Sequence, residues 1–378
     1  MTETDSDDDL RAQFRQSVRE VLQRARGARE PQPVWAPEQA DELAVKQGAS
    51  LGWTGLLVEE RWGGAGAGML EAIIVAEELG AHLTSMPFVS SAVLAATALS
   101  AGGSAAQQER WLPGLASGEL AGGAAVTGST GRIGLIDVQA VGDGDGVVLR
   151  GSSGFVLDGG AADILLVAAR RAGAPDPELY IVERSSAGLE VTELLTVDRT
   201  RRLASVELRD VQVGESARLP RSASALDTLL QRGSVAVAAD AVGAARRALD
   251  MAVDYARTRE QFGRPIGAFQ AIKHKLADMY LLVQGAALAV EGAAEALDAG
   301  QDARRLVAVA GAYSRDAATK VTGDAIQVHG GIGYTWEHDC HRLFKRAKFD
   351  EAFLGDPSLH REQVAALVLG REREDKRP

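Results

Sequence analysis

Apolar residues recur at helical spacing in the first third of the chain, alternate like strands in the middle, and return to helical spacing thereafter. In "EAIIVAEELGAHL", Ile73, Ile74, Ala76 and Leu79 share one face, which predicts a helix with Gly80 as its C-cap. The preceding "ERWGGAGAG" reads as a glycine-rich connector. Without a strand before it and a lysine after it, it is no phosphate cradle. "GVVLRG", "ADILLVAAR", "ELYIVER" and "ASVELRDVQV", separated by Gly, Asp and Pro, predict antiparallel strands of a compact sheet or barrel. After Arg221, Val235, Val242 and Leu249 recur every seven residues and alternate with Ala238, Ala245 and Ala252, spacing that suits a tight antiparallel bundle. The expected fold is α+β and multidomain: an N-terminal α-helical domain (1–120), a central β-barrel domain (121–219) and a C-terminal four-helix bundle (220–370). Residues 1–9 and 371–378 are polar and charged, and are expected to be disordered tails.

The length of 378 residues agrees with two or three domains. A net charge of −11 argues against a nucleic-acid partner, while leaving room for a local basic pocket. The single cysteine, Cys340, excludes an internal disulfide and a multi-thiolate metal site. No histidine pairing is evident around it, so it reads as an inert thiol and no metal is expected. "MTETDSDDDL" lacks the apolar core of a signal peptide, and no uninterrupted apolar run reaches membrane-spanning length. The expectation is therefore a cytoplasmic protein without membrane insertion.

Two C-terminal stretches are more specific. "YARTREQFGRPIGAFQAIKHKLADMY" (255–280) resembles the acyl-CoA dehydrogenase signature R-x-Q-F-G-x-P-I with F-Q and L-A-D-M downstream, and "QVHGGIGYTWEHDCHRLFKRAK" (327–348) resembles the second signature of that family. "LGWTGLLVEERWGGAGAGMLEAIIVAEELG" and "RWLPGLASGE" are similar to its N-terminal pattern, so the resemblance spans nearly the whole chain. It implies FAD as cofactor, an acyl-CoA thioester as substrate, an electron-transferring flavoprotein as acceptor, and a homo- or hetero-oligomer built as a dimer of dimers. It also implies α,β-dehydrogenation: a carboxylate removes the α-proton and the β-hydrogen leaves as hydride, helped by hydrogen bonds to the thioester carbonyl. Carried over residue by residue, Arg259 meets the FAD pyrophosphate, Gln261 and Phe262 contact the same region, and Gln327 with the backbone of Gly330 and Gly331 continues the contact.

The resemblance has gaps. Where family members carry T-E-P-x-A-G-S-D this chain has "AVTGSTGRIG", leaving Thr127 and Ser129, with Thr130, to offer hydroxyls and N–H groups. The W-I-T step near the flavin ring is "GFVLDGGAAD", with Phe155 for Trp and Leu157 for Thr, and leucine donates no hydrogen bond. The E-G-T step that holds the usual base is Leu354-Gly355-Asp356, and the minority position near the first bundle helix is Gly233-Ser234 beside Arg232. No catalytic base is assigned. Asp356, Asp240 and Glu351 are the nearest substitutes; Asp356 before Pro357 also reads as a helix-start residue, and His329 and His338 read as structural. Three functions fit: one subunit of a heteromeric acyl-CoA dehydrogenase whose partner supplies the base, a self-sufficient homo-oligomer with a relocated base, or a non-catalytic scaffold on the same fold. The acyl chain is not legible.

Overall fold

The structure is a computed structural model that describes residues 3–27, 41–143 and 146–370. In chain order it contains helices α1 (Glu3–Gly27), α2 (Glu42–Ser50), α3 (Met69–His82), a π-helical turn (Phe88–Ala95) running into α4 (Ala96–Gly102), and α5 (Ala105–Ser117). Strands β1 (Gly122–Ala125), β2 (Gln139–Asp143), β3 (Gly146–Leu157), β4 (Ile164–Arg171), β5 (Glu178–Glu183), β6 (Leu189–Leu194) and β7 (Leu203–Gly214) follow. Then come α6 (Ser222–Thr258), the short pair β8 (Glu260–Gln261) and β9 (Arg264–Pro265), α7 (Gln270–Asp298), α8 (Arg304–His329), α9 (Cys340–Ala352) and α10 (Pro357–Val368). The helix–strand–helix order matches the expected α+β class. The start of the chain differs from expectation, since α1 is helical from Glu3, and residues 371–378 lie outside the described residues.

The described residues form two compact units, one comprising residues 41–72, 85–143 and 146–233, the other residues 3–27, 73–84 and 234–370. In the first, seven strands run β1-β4-β2-β3-β7-β6, with β5 on the other edge of β4. The sheet is mixed rather than wholly antiparallel, because β4 runs parallel to both β1 and β2. Among the described residues it is a curled sheet with β5 and β6 at its ends. Alternate residues of long β3 and β7 fill its core with Val147, Leu149, Val206, Leu208 and Val211. Two register shifts between these strands bend the sheet.

In the second unit, α6 to α9 pack around Ala245, Leu249, Met279, Val283, Val321, Leu343 and Ala347, and α10 packs on α8. The seven-residue apolar repeat of α6 is wholly inside: Val235, Val242, Ala238, Ala245 and Ala252 are buried. Gly80 corrects the sequence reading. It lies within α3 and caps nothing; a Cβ there would overlap the Asp240 carbonyl, and a Cβ on Gly243 would overlap the Glu77 carbonyl. Two glycines thus let α3 and α6 cross with their backbones in contact. α3 is buried all round rather than on one face, and its acids Glu77 and Glu78 are met by Arg15 and Arg19 of α1 and Arg246 of α6. By length and mean hydropathy α7 alone, among the described helices, meets the requirement for crossing a bilayer. Here its Met279, Val283, Ala286 and Val290 are buried in the bundle instead.

Candidate functional site

The first candidate surface lies at the C-terminal ends of α6 and α8. α6 stops at Thr258, and β8 and β9 form a tight hairpin whose tip, Phe262-Gly263, is left-handed at both residues, with φ of 52° and 74°. The Phe262 side chain is 92% exposed, and its ring meets Phe269 edge-on. Arg259 and Gln261 are exposed, and Arg259 makes no ion pair among the described residues. At the end of α8, Gln327 is exposed, Gly330 has φ 62°, and the space where a Cβ of Gly330 or Gly331 would stand is open. The Tyr255 and His329 rings stack at 4.6 Å, which ties the two helix ends together beneath these residues. The expected diphosphate residues are therefore exposed at the ends of α6 and α8, and the open main chain at Gly330 and Gly331 suits an anion that approaches it closely.

The expected ring-side residues are arranged differently. The Thr127 hydroxyl donates to the Gly154 carbonyl (2.8 Å), and Ser129 donates both its N–H and its hydroxyl to Asp137 (2.7 Å each). Those two bonds hold the Asp137 carboxyl below its ordinary range. Both hydroxyls and the Ser129 N–H are thus engaged within the sheet. Leu157 is buried and pairs with Leu203 across the sheet, and Phe155 is left-handed (φ 57°) and half exposed.

The third group surrounds the expected base positions. Leu354 is nearly buried, at 5% exposure, in a left-handed conformation (φ 57°), followed by Gly355 at φ 101°. A bulky residue in that region carries a strain of about 1–2 kcal/mol, so its surroundings must hold the turn. The Gly355 carbonyl accepts from Arg315 (2.6 Å), and Asp356 caps α10 by accepting the Leu359 N–H (2.8 Å). Fully buried Arg315 also approaches the Ser234 hydroxyl (3.4 Å) and donates to His360 Nε2. Leu354-Gly355 and Ser234, the two places where a base was sought, thus meet around one cation. Burial lowers the Arg315 pKa to about 10, countered by the charges of Asp350 and Asp356, so it stays protonated at neutral pH. His360 donates from Nδ1 to Gln363 (3.1 Å), and burial followed by the Arg315 charge lowers its pKa to about 4. Its ring lies flat against Gly311, where a Cβ would collide with it. The region is packed and cationic, whereas proton abstraction needs a carboxylate or a free imidazole.

The acids named as substitutes have other partners. Asp240 and Arg346 form a wholly buried ion pair, with Arg346 Nη1 at 3.0 and 3.1 Å from the two carboxylate oxygens and Nη2 donating to the Thr84 carbonyl (3.3 Å). Asp356 is exposed and engaged as a cap, and Glu351 pairs with Lys348. Asp350 is fully buried and lends its charge to Arg315. The buried cation at Arg315 had no signal in the sequence: a lone arginine in "AYSRDAATK" reads as a surface residue.

One expectation about Cys340 is overturned. Its sulfur lies 3.4 Å from His329 Nδ1, with His338 beside it, so two histidines do surround the thiol.

Comparison with known proteins gives a consistent picture. Residues 4–119 match the family described as acyl-CoA dehydrogenase, N-terminal domain, and residues 223–369 match acyl-CoA dehydrogenase, C-terminal domain. The chain is 36% identical over 311 residues to acyl-CoA dehydrogenase FadE27 of Mycobacterium tuberculosis, covering 78% of this chain and 80% of that one. It is 30% identical over 353 residues to an acyl-CoA dehydrogenase of Bacillus subtilis, covering 88% and 92%. Among solved structures it is similar to a chain of the ChsE4-ChsE5 complex from Mycobacterium tuberculosis, with a TM-score of 0.84, 32% identity, and coverage of 100% and 99%.

Proposed function

The chain belongs to the acyl-CoA dehydrogenase family, a family of oxidoreductases acting on CH–CH bonds, and we propose that it works as the base-deficient subunit of a heteromeric, FAD-dependent acyl-CoA dehydrogenase. The observation that carries this reading is the base position itself: it holds a buried leucine, Leu354, and the carbonyl of the next residue, Gly355, accepts from the buried cation Arg315. A partner chain then supplies the carboxylate that takes the α-proton. The two-name complex similar to this chain over its full length supports a heteromeric assembly. So does the exposed apolar face of α7, α8 and α10, with Tyr280, Leu281, Leu288, Val309 and Tyr313 uncovered and a groove of about 540 Å³ along α8 and α10.

The residues present fit one half of FAD. Arg259, Gln261, Gln327 and the open main chain at Gly330 and Gly331 would hold its diphosphate, for which a forked permanent cation and unhindered backbone are the right chemistry. The Thr127 hydroxyl and both Ser129 donors do not fit as ring-side donors, since they are already engaged. FAD, when bound, supplies the hydride acceptor. This chain's residues orient and retain it while the partner's side holds the ring. An acyl-CoA thioester is the substrate class, and an electron-transferring flavoprotein the acceptor.

The test is the visible absorption spectrum of the chain purified alone and after co-expression with a longer paralogue that has glutamate at the base position. The expected result is a colourless chain alone and stoichiometric flavin with acyl-CoA-dependent bleaching in the complex. A lone chain that holds flavin and turns over acyl-CoA would overturn the proposal.

A further inference from the structure

Helix α7 is as apolar as a bilayer-spanning helix, yet only 28% of its most apolar stretch is buried in the bundle. The buried side carries Met279, Val283, Ala286 and Val290, while the opposite side leaves Leu281 66% and Leu288 68% exposed. Ala277, Leu281, Gln284, Leu288 and Gly292 recur at three- and four-residue spacing and form one stripe about 22 Å long. None of the five is charged. Gly292 has open space where a Cβ would stand, and with Ala277 it lets another backbone come close at the two ends of the stripe. Beyond the stripe the ends differ in sign, with Lys273 and His274 before it and Glu295 after it, all exposed. Tyr313 of α8 lies over Gly285 and is half exposed, which places an aromatic ring beside the centre of the stripe.

We propose that this stripe docks on the same stripe of a second copy of the chain, the two α7 helices running antiparallel about a two-fold axis. A two-fold contact pairs one surface with itself, so that whatever residue i meets in the copy is met in return. With the axis between Gln284 and Gly285, Leu281 faces Leu288 of the second copy, Ala277 faces Gly292, and the Lys273–His274 end faces Glu295. Both leucines are then covered, small residues face small ones, and each end meets the opposite charge. A parallel arrangement would set like ends together, which costs binding energy. In a chain of net charge −11, an uncharged stripe with complementary ends lets two copies meet despite their overall repulsion. Within the heteromer proposed above, the contact joins two like chains and leaves the diphosphate residues to the unlike partner.

The experiment is sedimentation of the full-length chain purified without a partner. The expected result is a dimer whose dissociation constant rises roughly 100–10,000-fold in Leu288→Glu, because each dimer loses two buried leucines. The position is exposed, so the variant should keep the wild-type circular dichroism. Glu295→Lys should weaken the dimer, and adding Lys273→Glu should restore it. Gln284→Cys, beside the axis, should form a disulfide with its own copy under mild oxidation, since the single native thiol, Cys340, is buried. The proposal fails if the wild-type chain is monomeric at every concentration, if Leu288→Glu leaves the dimer intact, or if Gln284→Cys chains in the assembled complex form no disulfide with each other. None of these results depends on whether the lone chain holds flavin, so the dimer contact and the base-deficient role can fail separately.

Discussion

Replacing Asp240 with alanine separates a structural acid from a catalytic one. The carboxylate and Arg346 are both fully excluded from solvent, and one guanidinium nitrogen sits 3.0 and 3.1 Å from its two oxygens. Asp240→Ala removes that counter-ion while Arg346 stays buried, and breaking a buried pair from one side costs about 3–5 kcal/mol. At about 2–4 °C per kcal/mol for a unit of this size, the midpoint of thermal unfolding should fall by roughly 6–20 °C. Far-ultraviolet circular dichroism follows the transition, since the helices of this unit dominate the signal. Were Asp240 a relocated base, the outcome would be the opposite: turnover of acyl-CoA would collapse while the midpoint barely moved. A loss below about 1 kcal/mol with a collapse in turnover would refute the structural assignment.

Other expectations are as direct. Arg259→Ala removes charge-assisted bonds worth about 1.5–3 kcal/mol, so flavin should be held roughly 10–150-fold more weakly by the assembled protein, with unfolding unchanged because the side chain is exposed; unaltered flavin retention through dialysis would remove Arg259 from the diphosphate contact. His360 has a folded pKa of about 4 against an ordinary 6.5, so the unfolded chain binds the extra proton. Its share of stability is complete above pH 6.5 and is lost as pH falls toward 4, a change on the order of 3 kcal/mol. Urea midpoints at pH 7 and 4.5 should show the loss in the wild type, and His360→Gln should reduce it. Gly243→Ala sets about 1 kcal/mol of helix propensity against about 3 kcal/mol of overpacking on the Glu77 carbonyl, for a net destabilisation of about 2 kcal/mol measurable by urea unfolding.

The helix–strand–helix order, the buried face of α6 and the family were legible because each rests on local periodicity or on long contiguous motifs. Arg259, Gln261 and Gly330 were legible for the same reason. What escaped was set by partners distant in sequence. Gly80 looked like a C-cap because nothing near it announces the Asp240 carbonyl against which it packs. The parallel pairing of β4 with β1 and β2 depends on which strands meet after folding, and short β-rich runs do not encode that. Cys340 looked solitary although His338 is two residues away, because the turn before α9 and the ring of His329 complete the group. Arg315 was invisible since the groups that make its burial tolerable, the Gly355 carbonyl, His360 and Asp350, lie 35 or more positions further along the chain.

The left-handed turn at Leu354 separates shape from chemistry. The Gly355 carbonyl is held by Arg315 and the following helix by the Asp356 cap, so the backbone there keeps its course whatever side chain position 354 carries. Position 354 can therefore carry leucine or an acid with no change of architecture. The bend belongs to Arg315 and the Asp356 cap, and the side chain it presents is free to vary.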